Sequence, residues 1–172
     1  MSSRAGQMYA GEFVISYFIF MIVLSLAFYM WGNTTQGLME SETFYAIEDA
    51  AVETAETLVR TPGNPSDWNA STVTSIGLAD ESRILNSNKI MAMAALLNNS
   101  NGNYEANRYL LGVGQYDMYV NLTYLNGSTL LINGAQAVAG SPPVNSTYQL
   151  TIVRTAIVND TVVRIIVTAW QT

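Results

Sequence analysis

The sequence predicts an α+β protein: a long N-terminal transmembrane and stalk α-helix packed on a head with a four-stranded antiparallel sheet and one or two additional short helices. Three observations carry this expectation. Phe13 to Trp31, FVISYFIFMIVLSLAFYMW, contains no charge, proline or glycine. From Leu38 to Arg60, apolar residues recur three and four apart, the spacing of one helix face. From Tyr116 onward, apolar and polar residues alternate between turn dipeptides, the signature of half-buried strands.

As a helix, Phe13–Trp31 rises about 28 Å, close to the thickness of a bilayer's hydrocarbon core. A cleaved secretory signal has a shorter apolar region followed by small residues, whereas this run ends in Phe28-Tyr29-Met30-Trp31. Arg4 precedes the span, and Glu40, Glu42, Glu48 and Asp49 follow it with no base before Arg60. The positive-inside rule therefore places residues 1–12 in the cytoplasm and the rest outside. After a loosening predicted at Gly32 through Gly37, Phe44, Ile47, Ala51, Ala55, Leu58 and Val59 share one face of the stalk. Glu40, Glu42, Glu48, Asp49, Glu53 and Glu56 occupy much of the remainder, a solvated acidic face. The helix thus covers residues 7–60, with its membrane span at 13–31 and its amphipathic stalk at 38–60.

Thr61-Pro62-Gly63-Asn64-Pro65 ends the helix, because proline cannot donate to the ladder and glycine accepts a left-handed backbone. Residues 61–172 form the head. Trp68 and Leu78 are expected to lay the following loop on the core. A helix is predicted from Ser87 to Leu97, burying Ile90, Met91, Met93, Ala94 and Leu97, and a short one from Tyr104 to Leu111, capped by Gly112. Asn99, Asn101, Asn103 and Glu105 alternate like calcium ligands but lack the glycine and the terminal bidentate glutamate of such a loop, so a plain turn is expected. The strands are Tyr116–Tyr124, Thr129–Ile132 after the hairpin signal Asn126-Gly127, Tyr148–Val158, and Thr161–Trp170 after Asn159-Asp160.

Composition narrows function. The chain has 172 residues, a net charge of −6 and 49% hydrophobic residues, with a pI near 4.4 and a mean hydropathy of +0.19. This acidity supplies no basic patch for phosphate, so no nucleic-acid partner is expected. Histidine and cysteine are absent, which removes imidazole and thiol chemistry, disulfides and the ligands of most zinc sites. Lys89 is the only lysine and lies in no Ser-Lys motif. An enzyme is the remotest reading, and no cofactor or metal is expected. Seven Asn-X-Ser/Thr sequons, at Asn33, Asn69, Asn98, Asn121, Asn126, Asn145 and Asn159, exceed the roughly two or three that this composition yields by chance. All lie on the expected outer side and mark candidate N-glycosylation sites.

Arg4-Ala5-Gly6-Gln7, a glutamate shortly after, and then an uninterrupted apolar helix resemble the class III signal peptide of archaeal type IV pilin-like proteins; TPGNPSDWNASTVTSIGLADESR resembles a segment that follows their N-terminal helix. The resemblance implies a cytoplasmic leader at residues 1–6, cut by a prepilin peptidase between Gly6 and Gln7. Glu12 would then stand sixth in the mature chain, one place later than the family's usual glutamate, and pair with a neighbouring subunit's amino terminus. Phe13, Ile15, Phe18, Ile22 and Leu26 would pack in the filament core. The implied function is a structural subunit of a homopolymeric helical surface filament, made as a membrane precursor in contact with lipid and assembled by an ATPase and a membrane platform, for adhesion. Its localisation would be the cell membrane as precursor and the cell surface when mature. The alternative is a single-span anchored extracellular binding protein that keeps its leader and uses exposed Trp68, Tyr104 and Tyr116.

Overall fold

A computed structural model describes residues 3–99 and 103–171; the side chains of residues 3–10 and 36–41 lie outside that description. Its contacts divide the chain into two units, Met1–Thr43 and Phe44–Thr172. Helix α1 (Ser3–Arg60) supplies the first unit and opens the second. The loosening expected at residues 32–37 does not occur. Two glycines there cost the helix roughly 1 kcal/mol each, but no proline interrupts it. The Thr34 and Thr35 hydroxyls donate to the carbonyls of Met30 and Trp31, both at 2.9 Å, and so keep partners within the helix.

In the second unit α1 buries Ile47, Ala51, Ala55, Leu58 and Val59, the face that the spacing predicts. Phe44 departs from it at 41% exposed, because the packed face begins one turn later. Thr54 is buried on the same face and donates to the Leu111 carbonyl at 3.3 Å, which makes its hydroxyl compatible with the core. The loop after Arg60 folds back on the helix end: the Leu78 and Ala79 amides donate to the carbonyls of Leu58 and Thr61. Trp68, 4% exposed, lies beneath this loop, with its indole N–H on the Gly77 carbonyl at 2.8 Å.

Strands β1 (Ala79–Glu81) and β2 (Ile84–Leu85) precede α2 (Ser87–Leu96). Asn86 caps α2, its Oδ1 accepting from the amides of Asn88 at 2.8 Å and Lys89 at 3.3 Å, which satisfies donors otherwise orphaned at a helix start. Helix α3 (Asn103–Asn107) passes into a 3₁₀ turn, Arg108–Leu111, closed by Gly112 at φ 74°.

The remaining strands are β3 (Asp117–Tyr124), β4 (Leu131–Ile132), β5 (Ala135–Gln136), β6 (Val138–Gly140), β7 (Tyr148–Val158) and β8 (Thr161–Gln171). They build a six-stranded mixed sheet in the order β1-β2-β7-β8-β3-β6 and a separate β4-β5 pair. This departs from the four-stranded antiparallel sheet expected. The long β3, β7 and β8 pair antiparallel as anticipated. However, β2 joins β7 in parallel at Ile84↔Ile157. Thr129–Ile132 is not a full sheet member: after one bridge, Thr123↔Thr129, the chain reverses again at Asn133-Gly134, where φ is 52° and 81°. Leu131–Ile132 therefore pairs with β5, and β6 takes the place beside β3.

Register explains the core. Met118, Val120 and Leu122 of β3 stand opposite Ala169, Val167 and Ile165 of β8, and all six are buried. On β7 the same side carries Leu150, Ile152 and then Arg154, paired with Ile165. An arginine in that row needs a partner, and its Nε donates to Glu56 Oε1 of α1 at 2.6 Å.

Candidate functional site

The most unusual surface belongs to the first unit. Gly11–Thr35 is a 25-residue stretch, exposed throughout, whose most apolar 18 residues have a mean hydropathy of 2.3, and it is the single candidate membrane span among the described residues. As a helix it is about 37 Å long, enough to cross a bilayer with tilt. Such a helix is compatible with a membrane anchor and also with a secretion signal. Exposure reaches 73% at Phe13 and 76% at Trp31, and Ile15, Phe18, Ile22 and Leu26 are all exposed. These side chains point around the whole helix rather than along one stripe. A helix apolar on every side suits lipid or a ring of neighbouring helices, not the surface of a water-soluble domain.

The polar residues of this stretch fit the same surroundings. The Ser25 hydroxyl donates to the Met21 carbonyl at 2.8 Å, as those of Thr34 and Thr35 do one turn back, so these hydroxyls need no water. Glu12 is exposed at the start of the stretch, directly before Phe13. A carboxylate inside hydrocarbon is costly, and the cost falls toward the interface or with a cationic partner. Gly6 and Gln7, the expected processing pair, lie in the part of α1 whose exposure and side-chain contacts fall outside the description.

In the second unit, the aromatic residues that an exposed binding surface would use are turned inward. Besides Trp68, Tyr104 is fully buried and Tyr116 is 7% exposed; this corrects the exposure that the alternative of an anchored binding protein required of all three, while Trp68 packs on the core as expected. Tyr104 carries a structural network: its hydroxyl accepts the Met118 amide at 2.7 Å and donates to Asp117 Oδ1 at 3.1 Å, where Arg108 Nη1 also binds at 3.1 Å. Burial pushes this phenol well above its ordinary pKa of 10.0. Lys89 is equally committed. It is 7% exposed, and its Nζ donates to the carbonyls of Pro62 at 3.0 Å and Ala79 at 3.2 Å, with Asp80 Oδ1 at 3.6 Å. It ties the loop after α1 to α2, a role its sequence context did not reveal.

No group of three or more acidic residues placed to hold a metal ion occurs among the described residues. A groove between α2 and β6 is lined by Met91, Leu97, Asn98, Gln136 and other residues, none with an ionisable or hydroxyl side chain. Of the sequon asparagines, Asn33, Asn69, Asn98, Asn126, Asn145 and Asn159 are exposed, whereas Asn121 is half-buried in β3. No protein-family model matches the chain, and comparisons with curated proteins and with solved structures bring up no match either.

Proposed function

We propose that this chain is a structural subunit of an archaeal type IV-like surface filament, for adhesion, processed from a membrane precursor and assembled through its hydrophobic N-terminal helix. The observation that carries the reading is the all-round apolar surface of Gly11–Thr35, together with a glutamate at its leading edge. In lipid that surface is satisfied. In a filament the same side chains, including Phe13, Ile15, Phe18, Ile22 and Leu26, would pack against copies of themselves. Lipid tails are as apolar as leucine, so moving a helix from bilayer to filament releases little hydrophobic free energy. Close packing, pairing of the Glu12 carboxylate with a neighbour's amino terminus, and an ATP-driven machine on a membrane platform would supply the difference. On this reading a prepilin peptidase first cuts between Gly6 and Gln7, and residues 61–172 face outward.

The test is mass spectrometry of the N-terminal peptide of the protein recovered from its own cells, combined with a Glu12→Ala variant. The mature chain should begin at Gln7. Glu12→Ala should still reach the membrane, with filament incorporation cut about tenfold, as expected from losing a pairing worth roughly 1.4 kcal/mol. Retention of Met1 or Ser2 would make the chain an ordinary anchored surface protein. A start beyond Trp31 would make the span a secretion signal.

A further inference from the structure

We propose that Asn126 is an acceptor for an N-linked glycan on the folded head and that Asn121, in the neighbouring sequon, is not. Two features of the chain prompt this: sequons exceed the chance number, and the two are only five positions apart yet differ completely in presentation. The proposal rests on the reading that the head lies outside the membrane.

Asn126 sits at the tip of the turn that follows β3, where residues 125–128 are all exposed. The turn is closed behind it: the Gly127 amide donates to the Tyr124 carbonyl at 3.0 Å, and the Tyr124 amide donates to the Ser128 carbonyl at 2.8 Å. Asn126 Oδ1 accepts from both the Ser128 amide at 3.0 Å and the Ser128 hydroxyl at 2.7 Å. Among the described sequons, this is the one whose carboxamide and hydroxyl, two residues apart, are bonded to each other. The turn thus holds together, at the surface, the two groups that a glycosyl transferase must grip, on a residue that is itself exposed.

Asn121 has the opposite setting. Its strand is paired on one side with Ile166 of β8 and on the other with Val138 of β6. Its Oδ1 and the Thr123 hydroxyl oxygen are both buried without hydrogen-bond partners, and Thr123 is 3% exposed. Bending this sequon into an enzyme would break two strand ladders. Other sequons are compromised in part: Asn33 lies in the apolar helix, and Asn159 Oδ1 is held by the Ser87 hydroxyl at 2.9 Å.

The chemistry requires a lipid-linked oligosaccharide as co-substrate. Asn126 Nδ2 forms a bond to the sugar's anomeric carbon, and the bond from that carbon to the lipid phosphate oxygen breaks, its electron pair leaving with the phosphate. The amide proton passes to a base on the transferase. Nothing is oxidised or reduced.

The full-length protein from its own cells is digested and its glycopeptides are weighed, while protease treatment of intact cells reports on which side the head lies. The expected result is a cleavable head, a sugar mass on the peptide bearing Asn126 in most copies, and none on the peptide bearing Asn121. Asn126→Gln should remove one glycan's mass from the intact protein. Ser128→Ala should do the same, and Ser128→Thr should retain it, with unchanged melting in all three. A cleavable head with a bare Asn126, or with sugar at Asn121, overturns the site while leaving the outward topology in place. A head protected by the intact membrane overturns both.

Discussion

Glu56 is the residue at which sheet and stalk helix exchange charge. Arg154 Nε donates to Oε1 at 2.6 Å, while Arg60 Nε lies 2.5 Å from Oε2, near enough for attraction but out of line for a hydrogen bond. The hydrogen bond from Arg154, followed by the charges of Arg60 and Arg83, outweighs burial and holds this carboxyl below its ordinary value of 4.5. The folded state therefore takes up this proton less readily than the unfolded chain. The contribution is fully present above pH 4.5 and is lost as pH falls through the lower folded value. Both side chains are about one-third exposed, so solvent limits the pair to about 0.5–1 kcal/mol. Glu56→Gln should be less stable by that amount at pH 7, and denaturation curves of the two proteins should converge as the pH is taken progressively below 4.5. A difference that stays constant with pH would show that the charge of Glu56 is not what stabilises it. This pairing was not legible in the sequence, since its partners lie 98 positions apart and only the β7–β8 register brings Arg154 to the helix. Trp68 was legible as a packing residue because it follows a helix stop at a distance that lays it back on the core. Tyr104 and Tyr116 were misjudged as exposed: each lies beside polar sequence, and nothing local shows that Asp117 and the Met118 amide receive the Tyr104 hydroxyl.

Among the elements, the loop from Thr61 to Leu78 is held by a backbone contact that leaves no room for a side chain. A Cβ on Gly77 would strike the Gly63 amide nitrogen and the carbonyl and hydroxyl oxygens of Thr61. These are mostly backbone atoms, so relief requires moving the loop away from the helix end and weakening the Trp68 bond to the Gly77 carbonyl. Gly77→Ala should destabilise the head by roughly 1–3 kcal/mol, the usual cost of overpacking, and should red-shift Trp68 fluorescence as the indole meets water. An unchanged melting temperature and spectrum would show that the loop absorbs the methyl group freely. Elements with many periods were readable: the apolar half of α1, β7 with its full alternation, and β8. Strands of two or three residues were not. Ile84–Leu85 and Ala135–Gln136 offer no alternation to detect, and Val138–Gly140 contains two small residues that read as loop. Their pairing is imposed from outside, by Ile157 of β7 for β2 and by β3 for β6. The sheet was therefore underestimated at its edges while its centre was anticipated.

For the whole molecule, the two units face opposite demands from solvent. Among the described residues, the head's buried cluster begins at Ile47 and draws its other members from later positions. Gly11–Thr35, by contrast, exposes apolar side chains throughout. At about 25 cal/mol for each Å² of apolar surface, a single exposed phenylalanine or leucine retains a driving force of roughly 1.5–3 kcal/mol toward lipid or another helix, and the stretch contains many. A chain lacking residues 1–43 should accordingly remain soluble and monomeric in buffer. It should unfold cooperatively with a thermal midpoint within about 5 °C of that of the full chain in detergent, the change that roughly 1 kcal/mol produces in a domain of this size. The full chain should instead require detergent or lipid and associate when either is withdrawn. Size-exclusion chromatography and melting of the two proteins decide the matter. If the shortened chain aggregates or loses its cooperative transition, the apolar helix is part of what folds the head. If the full chain stays monomeric in plain buffer, its apolar helix is covered by the protein itself, and neither a membrane nor a filament is needed to account for it.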